Sequence, residues 1–355
     1  MSVCVHMTFV PWFTHLMSTA EFASFIRLNP LKTFMLKLDA LYLNAAAKND
    51  GKLYFGSATD NDELNDTAYL AILSNTSQFG QITAENSMKW DATEPYPNVF
   101  TFAAGDVIAD LAESNGQLLR GHNCVWYDQL PSWVTNTSWT YDELASVVEN
   151  HCFKLVRHYA GHAWDVINEP FYDNGSFRAD VFYDTLGTEY IPIALNAARS
   201  ADPSAKLYIN EYNLEYASAK SDAMVALVEE LLADGVPIDG IGFEAHMIVG
   251  SVPTSIATQM ELFTTLGLEV AITELDIRME LPPTEALLAQ QKTDYDTVIS
   301  ACKSVEKCIG MTVWDYTDKY SWIPSAFPGE GAACPWNKRL QTKPAYYGIL
   351  EALGA

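Results

Sequence analysis

Short apolar runs that end in polar residues recur along the chain. Between them lie stretches whose apolar residues return every three or four positions. The runs are LYFGSA from Leu53, QITAENSMKW from Gln81, QLLRGHNCVW from Gln117, AWDVINEP from Ala163, KLYINEYN from Lys206, GIGFEAH from Gly240, EVAITELD from Glu269 and GMTVWDY from Gly310. They read as eight strands. TYDELASVVENHCFKLVRHYAG predicts a helix: Thr140 and Glu143 form a capping box, Leu144, Val147, Val148, Leu155, Val156 and Tyr159 share a face, and Gly161 suits the C′ position. SDAMVALVEELLADG predicts another, with Asp222 near its start and Gly235 at its end, and KPAYYGILEAL a last helix that closes the fold. Strand and helix alternating every roughly 30 to 45 residues predict an α/β fold, a single (β/α)8 TIM barrel. We assign it to residues 36–355 and find no linker or second module. Residues 1–35 lack both this rhythm and a basic n-region with a clean apolar core; they read as a degenerate signal or a tail with no assigned fold.

In such barrels the chemistry sits at the C-terminal ends of the strands. Those ends carry Glu85, Asn86, Lys89 and Trp90; His122 and Trp126; Asn168 and Glu169; Asn210, Glu211 and Tyr212; Glu244 and His246; Glu274 and Asp276; and Trp314. Two carboxyl groups flanking one bond suit glycosidic cleavage, one protonated to donate to the leaving oxygen, the other ionised. Glu169 and Glu274 end the fourth and seventh strands, which face each other across the mouth. Pro170 predicts that the strand stops there with Glu169 in extended backbone. A lone glutamate at a strand end is ordinarily a surface or salt-bridge residue, and His246 could be a core histidine bonded to a carbonyl; their company argues for chemistry. Trp322, in the Pro- and Gly-rich DKYSWIPSAFPGEG, suits stacking on a sugar face. A metal site would have to gather His122, His246, Glu274 and Asp276 from separate strands, and the first strand has no HxH pair, so no metal is expected.

The chain's 355 residues are 49% hydrophobic, enough for a large core, and its net charge of -24 makes it a poor partner for nucleic acid or anionic lipid. A neutral ligand fits better. No apolar run reaches the roughly 18 residues of a membrane span. Cys4, Cys124, Cys152, Cys302, Cys308 and Cys334 form no CxxC pair, and Asn-x-Ser/Thr sequons stand at Asn65, Asn75, Asn136 and Asn174. This pattern leans towards a secreted glycoprotein, the alternative being an intracellular protein with free thiols. Cys302 and Cys308, in CKSVEKC, are either free thiols or a small loop-closing disulfide.

YFGSATDN, ITAENSMKWDATEP, RGHNCVWYDQLPSWV, WDVINEPF, DPSAKLYINEYNLE, GVPIDGIGFEAH, AITELDIR and MTVWDYTDKYSW, in this order, resemble glycoside hydrolase family 10, the endo-β-1,4-xylanases, over about residues 36–355. The resemblance implies a retaining double displacement without metal or organic cofactor. Glu169 would be the general acid/base and Glu274 the nucleophile. Asn168 would bind the sugar 2-hydroxyl, and His246, supported by Asp276, would hold the nucleophile. Glu85, Asn86, Lys89, His122, Trp126 and Gln129 match the glycone side of the cleft, Tyr212 and Glu244 line it further, and Trp314 and Trp322 cover the sugar beside the nucleophile. It also implies a Cys302–Cys308 disulfide, a xylan substrate and a secreted monomer. Three positions depart from the family pattern: Glu244 where Gln is frequent, Glu211 where Asp is, and Asp315 where Gly commonly follows the indole. An ionised Glu244 would disturb the titration of its neighbours. The rivals are a β-1,4-glucanase of similar design and a carbohydrate-binding barrel without turnover.

Overall fold

Eight parallel strands form a closed ring: β1 (Tyr54–Thr59), β2 (Gln81–Ala84), β3 (Leu118–Val125), β4 (Ala163–Asn168), β5 (Lys206–Glu211), β6 (Gly240–Phe243), β7 (Glu269–Glu280) and β8 (Cys308–Val313). Each pairs with the next, and β8 returns to β1. The computed structural model describes residues 42–161 and 163–355. The segment 1–35, read above as a signal or tail, lies outside the described residues, as does Cys4. The connections carry the helices α1 (Leu43–Asn49), α2 (Thr67–Leu73), α3 (Ala103–Asn115), α4 (Tyr141–His158), α5 (Tyr190–Ala201), α6 (Ala219–Ala233), α7 (Ile256–Thr265), α8 (Glu285–Ser304) and α9 (Pro344–Ala352). The expected (β/α)8 architecture is present.

Strand residues such as Ile82, Val166, Ile209, Ile241 and Val270 share one apolar core with Ile108, Leu144, Val148, Leu195, Met224 and Val298 of the helices. The α4 capping box is formed as predicted. Gly161 adopts φ 94, but α4 caps at Tyr159, so the glycine stands one residue beyond C′. The α9 helix packs against α8 at Gly348, where a Cβ would lie 2.3 Å from the Lys292 carbonyl oxygen.

The ring's buried polar groups meet one another. Arg120 Nη2 lies 2.5 Å from Asp165 Oδ1, and its guanidinium sits 4.3 Å from the Tyr208 ring centroid. Thr312 Oγ1 donates to Gln81 Oε1 at 2.7 Å. Gly240 and Gly310 leave space for tyrosine rings, since a Cβ there would lie 2.4 and 2.6 Å from Tyr208 and Tyr54.

Two predicted strands are shorter than their apolar runs. β2 stops at Ala84; the chain then turns, and Trp90 opens a short helix to Thr93. β6 stops at Phe243, Ala245 takes φ 62, and His246–Ile248 pairs separately with β7, His246 opposite Asp276. The backbone turns at these strand ends carry side chains into the mouth. Cys302 and Cys308 are joined in a disulfide, while Cys124, Cys152 and Cys334 are buried free thiols. Of the sequon asparagines, Asn65, Asn136 and Asn174 are exposed and Asn75 is half-buried. Among the described residues no helix is long and apolar enough to cross a membrane.

Candidate active site

One cleft of about 750 Å³ opens at the C-terminal ends of the strands. Glu85, Asn86, Lys89, His122, Trp126, Gln129, Asn168, Glu169, Tyr212, Glu244, His246, Glu274, Trp314 and Trp322 all line it. Asp276 stands behind His246, fully buried. Tyr127, Asp128, Asn213, Ile248, Arg278 and Phe327 also line the cleft and carried no motif that marked them in the sequence.

Glu169 departs from the expectation of extended backbone: its φ is 51, in the left-handed region. Both of its backbone groups are pinned there. Its N–H donates to the Asn210 carbonyl at 2.9 Å, and Arg178 Nε donates to its carbonyl at 3.1 Å. These bonds offset a conformation that costs a non-glycine residue on the order of 1–2 kcal/mol. The Arg178 guanidinium also lies 3.7 Å from Glu169 Oε2. Burial, and then the charge of Glu274, raise the Glu169 carboxyl above the ordinary range, with Arg178 opposing.

Glu274 sits in the opposite environment. Asn210 Nδ2 donates to its Oε1 at 2.8 Å, and His246 Nε2 lies 3.2 Å from its Oε2. Burial alone would raise this carboxyl, but the His246 hydrogen bond and nearby positive charge bring it below the ordinary value. The other His246 nitrogen, Nδ1, lies 3.1 Å from Asp276 Oδ2, which also accepts from the Trp322 indole N–H at 2.7 Å. Burial works against the imidazolium, yet Asp276 and Glu274 lift it to about 10. On the far side His122 Nδ1 lies 3.1 Å from Asp165 Oδ2 and 3.9 Å from Glu274 Oε1.

Asn210 is the hub that sequence reasoning left out of the site. Thr273 Oγ1 donates to its Oδ1 at 2.6 Å and so fixes the amide's orientation. The Nδ2 group then faces Asn168 Oδ1 at 2.9 Å and Glu244 Oε1 at 3.2 Å as well as Glu274. A side chain on Gly242 would collide with this amide, a Cβ there falling 2.1 Å from Asn210 Oδ1. Only the tertiary pairing of β5, β6 and β7 brings these groups together.

The departures from the family pattern find separate explanations. Glu244 is buried, and burial followed by the charges of Glu274 and Glu169 raises its carboxyl well above the ordinary range. That direction favours its neutral form, which is close in shape and polarity to Gln. Glu211 accepts from the Phe171 N–H at 3.0 Å and pairs with buried Lys220 at 3.0 Å, so it braces the loop after β4. Asp315 has φ 57, a backbone that favours glycine, and is buried against Glu63 and Glu85, with carboxylate oxygens all within 4.8 Å. Burial, then the neighbouring carboxylates, hold Glu85 and Asp315 well above the ordinary range. On the same side Lys89 Nζ donates to Gln129 Oε1 at 2.6 Å and Asn86 Oδ1 at 3.1 Å, and stands 4.7 Å from the Trp126 ring centroid. Glu244, His246 and Glu274 each place one ligand atom within 4.8 Å of the others, and His246 Nε2 lies 3.2 Å from Glu274 and 3.7 Å from Glu244.

Residues 42–352 match the family model described as glycosyl hydrolase family 10. The chain belongs to glycosyl hydrolase family 10. Among family relatives, it is 64% identical to endo-1,4-beta-xylanase A of Phanerodontia chrysosporium over 314 residues, 88% of this chain and 77% of the relative. It is 58% identical to the endo-1,4-beta-xylanase of Agaricus bisporus, covering 87% of this chain and 93% of that one. The GH10 xylanase from Bispora sp. MEY-1, solved with xylobiose, superposes with a TM-score of 0.86 at 42% identity, over 88% of this chain and 99% of that one. A glycosylated GH10 endo-beta-1,4-xylanase from Gloeophyllum trabeum gives a TM-score of 0.83 at 42% identity, with coverage of 88% and 99%.

Proposed function

We propose that this family 10 protein is an endo-1,4-β-xylanase that cleaves internal xylosidic bonds of xylan with retention of configuration. The observation that carries the reading is the contrast between two carboxyls of one cleft: Glu169 is biased towards its protonated form and Glu274 towards its ionised form. Environments that push two acids apart assign the acid and the nucleophile. Glu274 attacks the anomeric carbon while Glu169 gives its proton to the leaving sugar oxygen. Water then attacks the glycosyl-enzyme, Glu169 takes its proton, and Glu274 leaves. Asn168 bonds the 2-hydroxyl, and His246 with Asp276 orients Glu274. Glu85, Asn86, Lys89, His122, Trp126 and Gln129 hold the glycone sugars. Tyr212 and Glu244 add to the binding surface, and Trp314 and Trp322 cover the sugar next to Glu274. Each step uses protein carboxyls and water, with no metal or organic cofactor.

The xylan substrate rests on the named activity of the relatives. We take residues 36–355 as the catalytic domain, acting as a monomer. The disulfide and the exposed sequons support secretion and glycosylation, as does the glycosylated relative. The test is product analysis on xylan and on β-1,4-glucan. Short xylo-oligomers should appear from xylan, and Glu274→Gln should abolish their release. Faster cutting of glucan would favour a glucanase, and binding without release a non-catalytic barrel.

A further inference from the structure

The loop after β4 doubles back on itself. Phe171 bridges to Phe177, and the Arg178 N–H donates to the Pro170 carbonyl at 2.8 Å. This return brings Arg178, a residue 9% exposed, under Glu169. Besides bonding the Glu169 carbonyl, its Nη2 donates to the Phe171 carbonyl at 3.1 Å and to the Tyr212 hydroxyl at 3.0 Å. Its face lies 4.1 and 4.9 Å from the ring centroids of Tyr127 and Tyr172. The group is therefore locked. A neutral donor could serve those carbonyls. A permanent charge 3.7 Å from an acid that must hold a proton works against the first chemical step.

The other titratable groups facing Glu169 are Glu274 on β7, His246 after β6, Lys89 after β2, Tyr127 after β3, Glu211 at the end of β5 and Glu244 after β6. In the resting enzyme the Glu274 charge favours a protonated Glu169 and Arg178 opposes it. We propose that Arg178 is a positioning residue that keeps Glu169 in its carboxylate form through the second half of the reaction, after its proton has left with the departing sugar. The inference rests on the double-displacement reading above. In the glycosyl-enzyme, Glu274 is an ester and carries no charge, so its influence vanishes while that of Arg178 remains. Glu169 has already given its proton to the leaving sugar, and Arg178, 3.7 Å from its Oε2, keeps it ionised to serve as base. It takes a proton from the attacking water, the water oxygen bonds to the anomeric carbon, and the bond to Glu274 breaks with its electron pair returning to that carboxylate. The restored Glu274 charge again favours the proton on Glu169, ready for the next cycle.

The test uses 2,4-dinitrophenyl β-xylobioside, whose leaving group needs no acid and leaves deglycosylation rate-limiting. In Arg178→Gln the acid limb of kcat should move up by about 1–2 pH units. Below that limb kcat should fall at least tenfold while kcat/KM changes little, azide (a nucleophile needing no base) should restore turnover, and Arg178→Lys should keep the wild-type limb. Equal losses in kcat and kcat/KM with an unmoved limb would make Arg178 a bracket for the loop and overturn the proposal. A second measurement reads Glu169 itself: carbon-13 titration in the trapped 2-fluoroxylobiosyl forms of the wild type and of Arg178→Gln. The Glu169 pKa of the trapped variant should stand about one unit or more above that of the trapped wild type, and an equal or lower value would overturn the proposal. Inverted product in the wild type would instead sink the double-displacement reading itself.

Discussion

Replacing Asn210 with Ala should separate a catalytic hub from ordinary packing. The Asn210 amide donates to Glu274 Oε1 at 2.8 Å and also faces Asn168 and Glu244. A hydrogen bond to a charged partner contributes about 1.5–3 kcal/mol. At about 1.36 kcal/mol per tenfold in rate, its loss should lower kcat/KM on xylohexaose about 10- to 150-fold. The same bond favours the ionised form of Glu274. Without it the Glu274 pKa rises, and the acid limb of kcat/KM should shift up by about 1–2 pH units. Thr273→Val removes only the hydroxyl that orients the amide and should cost about three- to tenfold, in keeping with a neutral hydrogen bond of about 1 kcal/mol. The assay is initial rates against pH on protein shown to be folded by circular dichroism. A change below threefold in Asn210→Ala, with an unmoved acid limb, would refute the reasoning.

Arg120 and Asp165 are both buried, and breaking such a pair costs about 3–5 kcal/mol, so Arg120→Met should lower Tm by roughly 5–10 °C in calorimetry. Despite burial, which opposes it, Arg120 depresses the Asp165 carboxyl. The pair's contribution is therefore full above the unfolded Asp pKa of about 3.9 and fades as pH falls below it, which urea titrations of wild type and variant will show. His246 runs the other way: its folded pKa of about 10 exceeds the unfolded value of about 6.5, so its stabilisation is full below about 6.5 and lost as pH rises through about 10. His246→Asn should flatten that alkaline fall in unfolding free energy. Replacing Cys302 and Cys308 together by Ser opens a short loop and should cost about 2–3 kcal/mol, read as a lower urea midpoint.

The barrel was legible because its signals are local and repeated. Apolar runs, capping residues and terminal glycines each specify an element within a few positions. The Glu169 and Glu274 pair was legible because both stand at strand ends, and the family resemblance supplied their roles. What escaped depends on contacts between distant segments. Pro170 argued for extended backbone at Glu169, yet the Asn210 carbonyl and Arg178, nine residues on, hold it left-handed. Asn210 was visible at the end of β5, but its bridging amide exists only once β7 lies beside β6. The Glu63, Glu85 and Asp315 cluster joins three separate stretches, and nothing near Asp315 in the chain announces acids as its neighbours. Glu244 looked like an added negative charge; burial, followed by the charges of Glu274 and Glu169, raises its carboxyl and so favours its neutral form.

The proposed double displacement requires that Glu274 form a covalent bond to the sugar. The most direct test is incubation with 2,4-dinitrophenyl 2-deoxy-2-fluoro-β-xylobioside, followed by proteolysis and mass spectrometry. Inactivation should be stoichiometric, with a fluoroxylobiosyl label on the peptide containing Glu274, on that carboxylate alone. Absence of any label while hydrolysis proceeds with inversion, or a label on Glu169 or Glu244, would contradict it.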